Sequence, residues 1–365
     1  MNSRNNITNQ TNNTVTFIGD SDHKTSLNTY INFENLDKYI YEKDDYSIGG
    51  AVSVLENSLA NILGKEAAIF FPTGTLANHL ALRKLCKTKQ NVIVQEQSHI
   101  YLDTGDSLSR LSGIKLTPLG KNKSYFKLKE FKDYLHEINN ARVYNPVGAV
   151  SLESPIRRKY GEIIPFKHLE SITSYCKTKS IPIHLDGARL FIMSDITGID
   201  IKRYTEMFDS VYISLYKYFG APFGAILAGN QNLIRGLHHD RRMFGGSINS
   251  ANIAAITALK GIKEFQNKFK LSINHFKKLL IELNTIPEIN IKTNKNGSNV
   301  YLAELSSNIN LQTFIKNLEN NFILVNIDDI QKTKIRLNIN VSILNQPITR
   351  IFNSFKKSLT KSSLT

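Results

Sequence analysis

The first fourteen residues are almost wholly Asn, Thr, Ser and Gln, and no apolar period emerges from them. Such a stretch cannot bury enough apolar surface to offset its ordering entropy, so a disordered arm is expected over residues 1–16. From there the pattern alternates between two periods. Val52, Leu55, Leu59, Ile62 and Leu63 recur at helical spacing, with Gly64 placed to end the helix. Ala67–Phe71 is a short apolar run that leads through Pro72-Thr73-Gly74-Thr75 into a second helical pattern carrying Leu76, Leu80 and Leu85. Further runs of strand length lie at Asn91–Val94, Val147–Leu152, Ile181–Leu185 and Ser210–Leu215, separated by helical patterns such as Leu169, Ile172 and Cys176. Strands alternating with helices predict an α/β fold built on a parallel sheet.

A longer helical pattern through Ile253, Ile256, Leu259, Ile262, Phe265 and Phe269 leads to a second region. That region has strands at Val300–Leu305, Phe322–Val325 and Ile335–Ile339, and helices near Leu311–Asn320 and Pro347–Lys357. At 365 residues the chain exceeds what one core usually supports. The pattern predicts a large domain over 17–260, a small C-terminal α/β domain over 261–358 and a frayed tail over 359–365.

Composition narrows the function classes. An apolar content of 41% is that of a globular protein. No apolar run reaches the roughly 18–20 residues that cross a bilayer, and the N-terminus has no apolar segment of a secretory signal. Cys86 and Cys176 stand far apart without metal-ligand spacing, so reduced thiols and a cytoplasmic location are expected, with no metal site. The net charge of +15 raises the question of a nucleic-acid partner, but the lysines are scattered instead of forming a basic arm. Neither nucleic acid nor membrane is an expected partner. The charge suits long-range attraction of anionic small molecules.

Four segments carry candidate chemistry. In His184-Leu185-Asp186-Gly187-Ala188-Arg189 a carboxylate emerges from the carboxyl end of a buried strand, where open α/β sheets bind their ligands. Its ordinary alternative is a buried Asp satisfied by Arg189 or by backbone amides. About one strand–helix–strand unit later, Lys217 follows the apolar run that ends at Leu215-Tyr216. An amine in apolar surroundings suits imine formation, though a single lysine more often reaches solvent. Phe71-Pro72-Thr73-Gly74-Thr75 puts a glycine-containing turn at a helix N-terminus, an anion site by its N–H groups and dipole, or else simply a threonine cap. His99, just past a strand in Glu96-Gln97-Ser98-His99-Ile100-Tyr101, can stack on a flat ring, move a proton or fill a core. There is neither a Gly-x-Gly-x-x-Gly fingerprint nor a P-loop, which argues against a nucleotide phosphate.

Together these segments, with Gly64-Lys65-Glu66-Ala67-Ala68 and Gly220-Ala221-Pro222-Phe223-Gly224, resemble the threonine aldolase/aromatic amino acid β-eliminating lyase family of fold-type I pyridoxal 5′-phosphate (PLP) enzymes. The resemblance runs from about Tyr46 to Ala258 and more weakly to Arg336. It implies a fold-type I architecture, with a large domain on a mostly parallel seven-stranded sheet and a small α/β domain. It also implies a PLP-dependent lyase that cleaves or forms the Cα–Cβ bond of a β-hydroxy-α-amino acid.

By this resemblance Lys217 holds PLP as an imine, Asp186 faces the pyridine nitrogen, and His99 stacks on the ring and serves as a base. Gly74, Thr75 and Ser214 bind the phosphate. Arg189 meets the cofactor's phenolic oxygen or the substrate carboxylate, and Arg336 clamps that carboxylate. Ser21 and Tyr46 line the site. Arg242 reaches the site of a neighbouring subunit, which implies a homodimer or homotetramer. Two departures stand out. The segment after Leu152-Glu153 reads Ser154-Pro155-Ile156-Arg157-Arg158 where typical members have a second histidine, and Ser247-Ile248-Asn249-Ser250 replaces a turn ending in Arg-Gln. β-Elimination is the alternative reaction within PLP chemistry, and a non-catalytic scaffold of the same fold is the alternative outside it.

Overall fold

The computed structural model describes residues 13–21, 43–328, 331 and 333–363. Residues 1–12 of the expected arm, and 364–365 of the expected tail, lie outside the described residues. The chain divides into two compact units. One comprises Asp37–Tyr216 and Ala221–Leu259; the other comprises Met1–Leu36, Lys217–Gly220 and Lys260–Thr365.

The short strand β1 (Val15–Thr16) belongs to the second of these. The first is built on seven strands: β2 (Ala67–Phe71), β3 (Asn91–Gln95), β4 (Lys115–Leu119), β5 (Ala149–Glu153), β6 (Ile183–Asp186), β7 (Ser210–Ser214) and β8 (Ala225–Gly229), in the spatial order β2-β8-β7-β6-β5-β3-β4. Only β8 runs against the rest: it pairs antiparallel with both β2 and β7, while the remaining pairs are parallel. The inner strands β3, β5, β6, β7 and β8 are buried at every position, which is why the first four read as apolar runs without alternation. The sheet is the mostly parallel, seven-stranded one expected of fold type I.

Two of its strands escape the sequence pattern. β4 carries Pro118 and is only half-buried, as an edge strand can be. β8 reads Ala-Ile-Leu-Ala-Gly, with only two large apolar side chains, so its apolar signal is slight.

Helix α1 (Gly50–Ile62) packs Val52, Leu55 and Leu59 inward and ends before Gly64, whose φ of +60° only glycine adopts easily. One polar residue of α1 is tied to the sheet: Glu56 Oε1 accepts the Phe70 N–H at 2.8 Å. Burial pushes the Glu56 carboxyl up to about 7 from its ordinary 4.5, against the lowering pull of that N–H and of Arg241. A carboxyl raised by folding contributes its full stability below pH 4.5 and loses it as pH rises through 7. Glu56→Gln, which keeps the acceptor, is therefore expected to gain about 1–3 kcal/mol on wild type between pH 4.5 and 8 in urea unfolding. Parallel stability curves for the two proteins would refute this.

In the second unit, β9 (Ile289–Lys292), β10 (Val300–Leu305), β12 (Asn326–Ile327) and β13 (Lys334–Asn338) form an antiparallel sheet in the order β12-β13-β10-β9. The strand β11 (Ile323–Leu324) instead pairs parallel with β1. Val15 and Thr16 therefore correct the expected arm. Val15 and Phe17 are fully or almost fully buried, their N–H groups bond Phe322 O and Leu324 O, and Phe17 packs edge-on against Phe276 and Phe355. These apolar anchors, with the Asn340 and Ser342 side chains bonding the Thr16 backbone, hold a segment that composition alone marks as polar. The C-terminal tail is corrected likewise: the last helix, Ile348–Lys361, buries Leu359, and Ser363 bridges to Ile309. Among the described residues no helix is long and apolar enough to cross a membrane.

Candidate active site

Six strands of the large sheet run in one direction, so their carboxyl ends share one edge. Register makes this concrete. Glu153 lies opposite Asp186, Asp186 opposite Tyr212, and Phe71 and Ser214 both face Ala225. The segments after Phe71, Gln95, Glu153, Asp186 and Ser214 consequently leave the sheet on the same side.

Asp186 is 3% exposed. Its Oδ1 accepts the Ala188 N–H at 3.1 Å and its Oδ2 accepts Asn78 Nδ2 at 2.8 Å. Asn78 lies on α2 (Gly74–Cys86), and its Oδ1 is 2.8 Å from His184 Nε2. His184 Nδ1 is in turn 2.7 Å from Ser210 Oγ. Burial pushes the His184 imidazole down to about 4, with the Asp186 charge opposing. Arg189, 7% exposed, caps the helix Leu190–Thr197 three residues beyond the aspartate.

The N-terminus of α2 sits at the same edge. Thr73, not Thr75, caps it: Thr73 Oγ1 accepts the Leu76 N–H at 3.2 Å. The N–H groups of Gly74 and Thr75 remain as first-turn donors, which no intrahelical carbonyl can reach. Gly74 is required by close approach, because a Cβ there would lie 2.0 Å from Tyr212 Oη. Tyr212 is buried in β7, where burial first, and the Asp186 charge second, hold its phenol well above the usual range. Gly74→Ala is expected to lower stability by about 1–3 kcal/mol, the ordinary cost of overpacking. The check is thermal unfolding, where an unchanged midpoint would show that Tyr212 yields freely. Two residues beyond Tyr212, the buried Ser214 hydroxyl faces that phenol and weakly opposes its rise.

His99 opens the short helix α3 (His99–Leu102). Its backbone N–H donates to Glu153 Oε2 at 2.6 Å, and Oε1 of the same carboxylate accepts the Arg157 N–H at 3.1 Å. Burial, and then the neighbouring Asp186 charge, push the Glu153 carboxyl up. The His99 ring is oriented separately: Nδ1 lies 3.3 Å from Asp103 Oδ2. Asp103 is clamped by Arg157 Nη2 at 2.6 Å and Arg158 Nη2 at 2.5 Å. Burial alone would raise the Asp103 carboxyl, but the Arg158 and Arg157 hydrogen bonds outweigh it and hold it well below the usual range. The two arginines that depart from the family pattern thus serve, through Asp103, the histidine at the site edge.

The structure brings Gly74, Thr75, His99, Asp186, Arg189 and Ser214 to one edge of one unit. Tyr46 belongs to the same unit, 41% exposed, with the Arg242 guanidinium 4.6 Å over its ring. Its loop is anchored by Arg241, fully buried, which donates to Phe70 O at 2.6 Å, to Tyr46 O at 3.2 Å and to Ser47 O at 3.1 Å. Ser21, Lys217 and Arg336 belong to the other unit, where Arg336 sits in β13 opposite Leu302 and Asn326. Sequence reasoning assigned no role to Asn78, Asp103, Glu153 or Tyr212. The only available signal was that each stands inside, or beside the strand end of, a segment already singled out.

A helix N-terminus that keeps two N–H donors and touches Tyr212, with the buried Ser214 hydroxyl two residues further along that strand, fits a phosphate. A buried, hydrogen-bonded carboxylate on the adjacent strand fits a protonated ring nitrogen. These residues suit PLP.

Comparison with known proteins shows which family the chain resembles. A family model described as β-eliminating lyase matches residues 35–304. A low-specificity L-threonine aldolase of Candida albicans is 31% identical over 243 residues, 66% of this chain and 63% of that protein. The Escherichia coli K12 low specificity L-threonine aldolase is 30% identical over 240 residues, 64% of this chain and 68% of that one. The matched region spans 63%, 57% and 54% of the C. albicans, Eremothecium gossypii and Saccharomyces cerevisiae relatives. Among solved structures, a threonine aldolase of Leishmania major superposes with a TM-score of 0.73 at 18% identity, covering 94% of this chain and 98% of that one. An ornithine aminotransferase of Plasmodium yoelii does so with a TM-score of 0.63 at 15% identity, covering 95% and 89%. At these identities the structural likeness is one of fold.

Proposed function

The chain belongs to the β-eliminating lyase family, and from that membership we propose that it is a PLP-dependent lyase cleaving, or forming, the Cα–Cβ bond of β-hydroxy-α-amino acids. The observation that carries the proposal is the shared sheet edge: α2 presents Gly74 and Thr75 N–H groups, and one turn along the same helix Asn78 holds Asp186. A single rigid element thereby sets the spacing between an anion cradle and a carboxylate, about 6 Å along the helix axis.

PLP, when bound, supplies an electron-withdrawing ring for the electron pair released at the substrate's Cα. The chain's own groups do the rest. Lys217 is the amine that would hold the cofactor. Gly74, Thr75 and Ser214 would bind its phosphate, and Asp186 would accept the ring N–H. Arg189 and Arg336 would take the substrate carboxylate in the planar, two-point manner suited to arginine. Tyr46 and Ser21 would line the pocket. His99, oriented by Asp103, would cover the ring and accept the proton of the β-hydroxyl, a contribution of about 10²–10⁴-fold in typical cases. The protein would work as a cytoplasmic homo-oligomer, with Arg242 completing a neighbouring site.

The test is direct. Purified protein titrated with PLP should gain visible absorbance, and incubation with threonine should release glycine and acetaldehyde in equal amounts. A keto acid with ammonia would instead establish β-elimination. A protein that takes up no PLP would sink the proposal.

A further inference from the structure

Behind Asp186 lies a chain of three buried polar side chains: Asn78, His184 and Ser210 are all fully buried. Their hydrogen bonds determine every proton. The Asn78 NH₂ donates to Asp186 Oδ2, so its carbonyl oxygen must face His184. That oxygen only accepts, so His184 carries its proton on Nε2. A neutral imidazole then has Nδ1 as acceptor, and Ser210 must donate to it. Reversal by an amide flip or the other tautomer places two donors or two acceptors against each other in a site without water contact, and burial opposes protonation of the ring. Such a mismatch leaves a buried polar group unsatisfied. The arrangement has one low-energy state. With the Ala188 N–H on the other oxygen, it sets the carboxylate plane of Asp186.

We propose that Asn78, locked in one amide orientation by His184 and Ser210, is a positioning residue that sets the direction of the Asp186 carboxylate toward the ring nitrogen of bound PLP. This rests on the reading that Asp186 meets that nitrogen. The role requires Asn78 specifically: aspartate would set a second negative charge against Asp186, and an apolar side chain would leave both Asp186 and His184 short of a partner.

The full-length protein tests this in two ways. In ¹⁵N-histidine NMR spectra recorded before PLP is added, wild-type His184 is expected as the Nε2–H tautomer, neutral at pH 6. Because burial pushes it down to about 4, no protonation is expected in that range. In Asn78→Ala the tautomer preference is lost. Titration with PLP should then show about 10–100-fold weaker binding for Asn78→Ala, while its affinity for inorganic phosphate stays that of wild type. With threonine as substrate, kcat should fall by a similar factor and KM by much less. His184→Gln, which still donates an N–H toward Asn78, should lose less than His184→Ala. An Nδ1–H tautomer in the wild type overturns the proposal even if the variants fail to fold. So does Asn78→Ala with wild-type PLP affinity and kcat, which leaves the cofactor reading intact. A wild type that takes up no PLP overturns the cofactor reading and this proposal with it.

Discussion

Lys217→Ala is expected to reduce glycine release from threonine by about 10³-fold or more, while the protein still folds with a wild-type unfolding midpoint. The catalytic loss follows from chemistry: alanine has no amine to hold the cofactor or to exchange with a substrate amine. The preserved fold follows from packing in the second unit. The residues after Lys217 are held independently of its side chain. Tyr218 and Phe219 meet edge-on with ring centroids 4.5 Å apart, and Tyr218 lies 5.1 Å from Phe265. Gly261 permits the closest approach, since a Cβ there would lie 1.9 Å from the Phe219 carbonyl oxygen. The measurement pairs visible absorbance on PLP addition with product assays. A variant that cleaves threonine at the wild-type rate would remove Lys217 from the mechanism.

The second large effect is expected at Asp186. If Asp186 meets the ring nitrogen of bound PLP as proposed, Asp186→Ala should lower kcat/KM by about 10²–10³-fold, the ordinary consequence of truncating one partner of a buried, hydrogen-bonded charge pair. It should also cost about 1–3 kcal/mol of stability, because the Ala188 N–H and the Asn78 NH₂ both lose their acceptor in a dry site. Asp186→Asn separates the two consequences. It keeps the shape and one acceptor, so most of the stability should return, but it lacks the negative charge, and most of the activity should not. Denaturant unfolding alongside steady-state kinetics on both variants provides the check. If Asp186→Asn regained wild-type activity, a carboxylate there would have only a structural purpose.

Much of this architecture is written locally. Strands buried on both faces must be continuously apolar, and the runs at Ala67–Phe71 and Ser210–Leu215 match β2 and β7 to within a residue. Helices with one buried face must repeat apolar residues every three or four positions, as Val52, Leu55 and Leu59 do. Asp186 could be singled out because strand ends in a parallel sheet are where ligands bind, and Gly74 because a glycine turn at a helix N-terminus can hold an anion, whereas Ser214 came only with the family resemblance. By the same token, strands with little apolar signal were invisible: β8 has only two large apolar side chains, and β4 is amphipathic and interrupted by Pro118.

The partners of the site residues belong to another level. Asn78 reads in the sequence as one polar residue on an apolar helix. That it meets Asp186 and His184, both on β6, depends on how α2 crosses the sheet. Glu153 reads as the end of a strand, and only its pairing opposite Asp186 makes its carboxyl compete with a neighbouring charge. Arg157 and Arg158 read as a missing histidine, whereas in three dimensions they clamp Asp103 beside His99. Val15 and Phe17 sit at the edge of a polar arm, yet β11 and the Phe276–Phe355 cluster order them. The sequence by itself determined the alternation of elements and the strand-end residues, since burial period and backbone chemistry act within a few neighbours. Tertiary structure alone decided which buried polar groups face one another, because hydrogen bonds are short and directional and join residues more than a hundred positions apart.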